Sequence, residues 1–304
     1  MKQRANNRSD HTNIGTNITP KPPPYVLLFA DDRVTISDQE QQTIIVSSFE
    51  EAAGYLHILG NTCCPVLSPE YQIAHPGLYE KLTNIESSAK DDETPFNIDT
   101  AVELMMKLPL DLNSLLISPI AVKSSDLPPA PIRKDMAHKT NEANVLISEP
   151  FSTGWIHYCN IFSDTNELIF DHPSDHVQGM LILEAVRQAG IAVGHLQGLP
   201  MDGKIALLSV NTNFYGFLEK ETPIILRAIS DFTANSSSKD KQIEVFVQLI
   251  QWGRICTDAK LKGFAYMNNQ KAQKKEVQLG KIAMRNKKTF DDRVNRIIQM
   301  ELSN

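Results

Sequence analysis

Cysteine is scarce in this chain of 304 residues: Cys63 and Cys64 are adjacent, and Cys159 and Cys256 stand alone. That is neither a disulfide framework nor a metal-ligand spacing, so no structural metal is expected. A basic excess is also lacking. Lys and Arg number 30 against 36 Asp and Glu, a formal net charge of −6. Nothing there would neutralise phosphates along a duplex, so nucleic acid is not an expected partner. Long apolar runs are missing as well. The longest, Met180 to Leu196, is interrupted by Glu184, Arg187, Gln188 and His195, which argues against a membrane span. Met1 to Pro24 has no apolar core of the kind a secretory signal needs. A cytoplasmic protein with no membrane partner is the expectation. No glycine-rich phosphate loop occurs in the first half of the chain, and no cofactor is expected.

What is present suffices for two globular units, with 41% hydrophobic and 22% charged residues. Residues 1–24 read as a disordered lead-in ending in three prolines. Residues 25–125 read as a small α/β domain. Its strands are expected at Tyr25–Ala30, Thr43–Val46 and Pro65–Leu67, and its helices at Phe49–Leu59 and Ile98–Leu108. Ser47 or Ser48 is available as the first helix's N-cap, with Gly60 just past its end. Ser124 to Ile132, with three prolines, reads as a linker. Beyond it the pattern changes to strands at 144–147, 155–162 and 168–170 and one long helix near 176–197. Four more strands follow, at 204–218, 222–233, 241–252 and 258–267. Strands, one helix, then a run of strands predicts an α+β arrangement with an antiparallel sheet. Residues 270–304 read as a charged tail with a possible helix at 289–301.

The long helix carries the chemistry. Asp175 could cap it, with Gln178 three residues on, and Gly198 and Pro200 end it. At about 100° per residue, Glu184, Arg187, Gln188, Ile191 and His195 share one narrow face of an otherwise apolar helix. Glu184 and Arg187 are either a structural ion pair, an exposed edge, or a general base beside an anion-binding guanidinium. Asp171, His172, Asp175 and His176 precede the helix. Pro173 and the helix start intervene between the two histidines, so they do not make a paired-His metal site. A His facing a Glu one to three turns into a helix can instead work as an acid/base pair. The N–H groups near Gly179 could receive a carbonyl oxygen or a phosphate.

The stretch Asp171-His172-Pro173-x-Asp175-His176-x-x-Gly179-Met180-Leu181-x-x-Glu184-Ala185-x-Arg187-Gln188 is very similar to the signature of the A-factor biosynthesis (AfsA-like) hotdog family. His138-Lys139 resembles the opening of that domain, and the resemblance covers about 135–269. It implies a hotdog fold, a curved antiparallel sheet around a long central helix, here preceded by the small α/β domain. It also implies joining of a β-ketoacyl group to the hydroxyl of dihydroxyacetone phosphate, toward γ-butyrolactone signals. The thioester would be carried by acyl carrier protein or coenzyme A. The family's helix Glu and Arg match Glu184 and Arg187. Hotdog dehydratases pair a loop His with a helix Glu, and His172 with Glu184 is similar at a shorter spacing. The expected catalytic residues are therefore Glu184, Arg187 and His172, with His176, Gly179, Gln188 and Asp171 binding substrate. Family members typically carry two hotdog repeats and this chain shows one, which implies a homodimer or a degenerate first repeat. The alternatives are a hotdog thioesterase or dehydratase, and a non-catalytic acyl-binding regulatory module.

Overall fold

The computed structural model describes residues 24–34, 42–88, 97–110, 112, 120–163, 175–232 and 240–302. The expected strand at 168–170, Asp171 and His172 lie outside the described residues.

The N-terminal part is built on a parallel sheet of β1 (Tyr25–Phe29), β2 (Gln42–Val46) and β3 (Cys63–Pro65), in the order β2-β1-β3. β1 is central and buried along its whole length, which is why it reads as an unbroken apolar run. Helix α1 (Phe49–Leu59) runs between β2 and β3. The Ser48 hydroxyl accepts the Glu51 N–H, the Glu51 carboxylate accepts the Ser47 N–H, and Gly60 ends the helix at φ +55°. The third strand starts two residues before its expected place. Helices α2 (Pro69–Ala74) and α3 (Leu78–Ser88) follow, and α4 (Ile98–Lys107) forms where expected. The sequence concealed α2 and α3 because they bury little: α2 buries no residue and α3 sends Leu82 inward.

The second sheet is antiparallel, with β4 (Phe151–Thr153), β5 (Ile156–Asn160), β6 (Lys204–Phe214), β7 (Ile225–Ser230), β8 (Lys241–Gln251) and β9 (Arg254–Tyr266). Its order is β4-β5-β7-β8-β9-β6. Trp252 and Gly253, both at positive φ, close the β8–β9 hairpin in two residues, as the right-handed twist of the strands favours. The expected strand at 144–147 does not form. A 3₁₀ turn over Glu142–Asn144 precedes it and only an isolated bridge, Ile147 to Ile161, remains; a helix side chain takes the Asn144 carbonyl and the Leu146 N–H.

The sheet has two apolar faces, and alternate residues sort between them. Leu226, Ala228, Ile243, Val245, Val247 and Leu249 face α5 (Gly179–Leu196). Ile156, Tyr158, Ile225, Ile229, Phe246 and Ile250 face the opposite way and share a core with β1, α1 and α4. The N-terminal part therefore covers the outer face of the antiparallel sheet. The Tyr25 and Tyr158 hydroxyls meet across this interface at 3.1 Å. The chain just ahead of the linker is pinned to the same sheet, since the Asn160 side chain bonds both the N–H and the carbonyl of Ala121, at 2.8 and 2.9 Å. The segment in front is a parallel sheet, so no second antiparallel sheet of this kind occurs among the described residues.

The tail differs from its expected short helix. One helix, α6 (Asn269–Leu302), spans it, and Val277, Leu279, Ile282, Phe290, Ile297 and Ile298 stay exposed along it. Among the described residues no helix is long and apolar enough to cross a membrane.

Candidate active site

α5 begins three residues later than the capping pattern predicts. The backbone of residues 176 and 177 is taken by pairing: His176 bridges Glu219, and the Val177 N–H donates to the Leu218 carbonyl at 2.7 Å. Gln178 is the N-cap and gives no side-chain bond, while Asp175 is exposed and accepts from His176 Nδ1 at 3.0 Å. The far end behaves as read: Gly198 follows the helix at φ +103°, and the Leu199 N–H returns to the Gly194 carbonyl.

The polar face of α5 meets the chain's own segment 134–146. At its centre is Glu184. Arg187 grips this carboxylate with Nε on Oε2 and Nη2 on Oε1, both at 2.8 Å. Lys139 Nζ adds a third contact to Oε1 at 2.8 Å, and Gln188 Nε2 a fourth at 3.0 Å. The three charged side chains are partly covered, Glu184 being 22% exposed and Arg187 33%. Burial pushes the Glu184 carboxyl up, but the bonds from Arg187, Lys139 and Gln188 outweigh it and hold the group at about 2. The carboxylate raises Arg187 in turn. Such a Glu is firmly ionised and, while so held, a weak proton acceptor.

Gln188 is fully buried. Its Oε1 accepts the Leu146 N–H at 2.8 Å, and its Nε2 donates to the Asn144 carbonyl at 2.9 Å. At the last turn of the helix, His195 Nδ1 lies 3.0 Å from the Leu199 carbonyl. That carbonyl can only accept, so Nδ1 carries the proton and His195 Nε2 is an acceptor. His138 Nε2 donates to it at 2.9 Å. His138 itself sits at φ +51°, a conformation unusual for a side chain larger than Gly. Burial and the neighbouring His195, Arg187 and Lys204 lower its pKa to about 4, so the pair is neutral near pH 7.

Beside Arg187 an apolar cavity of about 40 Å³ opens between α5 and the strands, lined by Gly190, Ile191, Ile205, Leu207, Ile243 and Leu261 among others. It is small because it is closed by side chains on three strands. Two of its walls belong to β6, the edge strand, whose Leu207 is exposed. Gly190 gives it depth, since a Cβ there would lie 3.5 Å from Leu261 Cδ2.

The structure thus brings Glu184, Arg187 and Gln188 together. His176 and Gly179 sit elsewhere, at the helix entrance. The His176 ring packs 4.7 Å from Phe217, and Gly179 passes close to Phe214. From Gly179 to Glu184 is about 7.5 Å along the helix axis. Lys139 and His138 were absent from the expected site, although their dipeptide stood out in the sequence. Their approach to the helix depends on a turn that periodicity does not reveal. Among the described residues no group of three or more His, Cys, Asp or Glu is placed to hold a metal ion.

A single long helix laid across a six-stranded antiparallel sheet in this order is the hotdog fold. More narrowly, residues 120–267 match the family model described as the A-factor biosynthesis hotdog domain, and this segment belongs to that family. Solved structures are similar to part of this chain at low identity. A candidate thioesterase from Shewanella oneidensis is 14% identical, covering 43% of this chain and 92% of its own, with a TM-score of 0.34. A candidate thioesterase from Ralstonia eutropha related to phenylacetic acid degradation is 14% identical, with coverages of 39% and 82% and a TM-score of 0.31. A mutant thioesterase from Pseudomonas aeruginosa is 15% identical, with coverages of 41% and 86% and a TM-score of 0.33. No match was found among curated proteins.

Proposed function

We propose that the protein is an acyltransferase of the hotdog class. It would move a β-ketoacyl group from a thioester to a hydroxyl of a dihydroxyacetone-phosphate-like acceptor, toward a γ-butyrolactone-type signal or another secondary metabolite. The observation that carries this reading is the Glu184–Arg187 pair, whose arginine also lines an apolar cavity, within a segment that matches the A-factor biosynthesis family. In the reaction Glu184 takes the proton of the acceptor hydroxyl while its oxygen attacks the thioester carbonyl. The C–S bond breaks, and the departing thiolate, of acyl carrier protein or coenzyme A, collects a proton. Arg187 steadies negative charge. His172 polarises the carbonyl, while His176 and the N–H groups near Gly179, about 7.5 Å along the helix from Glu184, hold a more distant part of the substrate.

A second copy of the chain fits the scheme. β6 is a long edge strand with exposed Leu207, Leu208 and Phe214, a template for pairing with another chain. It also supplies part of the cavity wall. Pairing there would close the pocket, and we infer a homodimer.

The test is product mass after incubation with β-ketoacyl and β-hydroxyacyl thioesters, with and without dihydroxyacetone phosphate. An ester formed only with the acceptor supports acyl transfer. Free acid with or without it points to a thioesterase, an enoyl product to a dehydratase, and recovery of intact thioester to a binding module.

A further inference from the structure

The acyl-transfer scheme gives His138-Lys139 no task, yet the structure devotes an unusual turn to placing them. Four backbone bonds build it: Met136 N–H to the Arg133 carbonyl, Ala137 N–H to Lys134, His138 N–H to Asp135 and Lys139 N–H to Lys134, the last at 2.7 Å. His138 turns through positive φ and is anchored on His195. The next residue, Lys139, is thereby directed along α5 onto Glu184. Two cations, Lys139 and Arg187, now face one carboxylate; Lys204, which bears on His138, is itself paired with Glu276 at 3.9 Å and is not counted. The histidines are neutral, so the half-covered site keeps a surplus of positive charge. A surplus of this kind in a place shielded from water favours a ligand with more negative charge than one carboxylate.

We propose that Lys139 and Arg187 are the receptor for the acceptor's phosphate, and that Glu184 occupies it as a resident carboxylate until the phosphate displaces it. This rests on the reading of Glu184 as the base and gives that base a control. A phosphate offers three acceptor oxygens to the two cations. Gln188, fixed by Leu146 and Asn144, keeps hold of Glu184 Oε1 when the cations turn to the phosphate. The carboxylate then stays half-buried without its ion pairs, and burial raises its affinity for a proton. The base is competent only when a phosphorylated alcohol is bound. Water alone does not unmask it, which protects the thioester from hydrolysis.

The test is binding of inorganic phosphate and of glycerol 3-phosphate to the full chain, by calorimetry or ³¹P line broadening, with no thioester present. Wild type should bind both. Lys139→Met should weaken binding about tenfold, and Lys139→Arg should restore most of it. Glu184→Gln should tighten binding about tenfold, because the competing charge is gone; a merely structural ion pair would not give that sign. Circular dichroism and thermal melting establish that each variant is folded, and if Lys139→Met is not, the Glu184→Gln result decides alone. No phosphate binding by wild type, or unchanged or weaker binding by Glu184→Gln, overturns the proposal. Phosphate binding of the expected pattern without acyl transfer would sink the catalytic reading and keep the receptor. Acyl transfer with phosphate affinities unchanged by both variants would do the reverse.

Discussion

Gln188 joins the central helix to the segment that crosses it: it accepts the Leu146 N–H at 2.8 Å and donates to the Asn144 carbonyl at 2.9 Å. Both bonds are buried. Truncation would leave two backbone groups without partners.

Gln188→Ala should therefore cost roughly 2–6 kcal/mol, at about 1–3 kcal/mol for each of the two buried groups left unpaired. Urea unfolding followed by circular dichroism measures it. A loss below about 0.5 kcal/mol would show that water replaces the amide freely and that Gln188 is available to substrate.

Glu184 links stability to acid. Its folded pKa, about 2, lies below the usual 4.5, so its stabilising contribution is complete above about pH 4.5 and is lost as pH falls through about 2. The unfolding free energies of wild type and Glu184→Gln should differ most near neutrality and converge between those two values. A difference that stays constant down to pH 2 would mean the ion pairs do not hold the carboxylate.

The histidines act over a higher window. His138 and His157 are both lowered to about 4, first by burial. The unfolded chain therefore binds more protons between about pH 6.5 and 4, and stability should fall as pH drops through that range. His138→Asn keeps a residue tolerant of positive φ and removes one titrating ring. Its melting temperature should fall less steeply over this interval than that of wild type. Parallel slopes would contradict the assignment.

Glycines at the cavity should behave oppositely. A Cβ at Gly190 meets Leu261 at an ordinary 3.5 Å, so Gly190→Ala should be neutral or stabilising by up to about 1 kcal/mol. At Gly263 the same methyl would stand 2.8 Å from Ile205 Cγ2 and 3.1 Å from Ile243 Cγ2, and Gly263→Ala should destabilise by about 1–3 kcal/mol. If the cavity holds the acyl chain, Gly190→Ala should also shorten the longest chain accepted, read from rates on a thioester series.

Leu208 is 59% exposed on the edge strand. Leu208→Lys places a charge where a second β6 would pair, and should convert a dimer to a species of the single-chain mass, 34.0 kDa, by light scattering. Wild type already running at that mass would remove the homodimer from the proposed mechanism.

Much of this architecture was legible in the amino-acid order. β1 is an unbroken apolar run, α1 carries its caps, and β8 alternates Ile243, Val245, Val247 and Leu249 toward one face. Local chemistry alone fixes such features, since period and capping act over a few residues. The polar face of α5 was visible for the same reason: Glu184, Arg187, Gln188 and His195 recur at helical spacing. Only the tertiary structure decided what that face meets. Lys139 reaches Glu184 across 45 positions of chain because His138 turns at positive φ and locks onto His195. Gln188, expected to touch substrate, also secures the backbone of residues 144–146, which its spacing did not reveal. α2 and α3 escaped notice because they bury almost nothing, and the outer face of the sheet was hidden because its cover lies more than a hundred residues earlier. Contacts of that range depend on where whole elements come to rest, which no local pattern encodes.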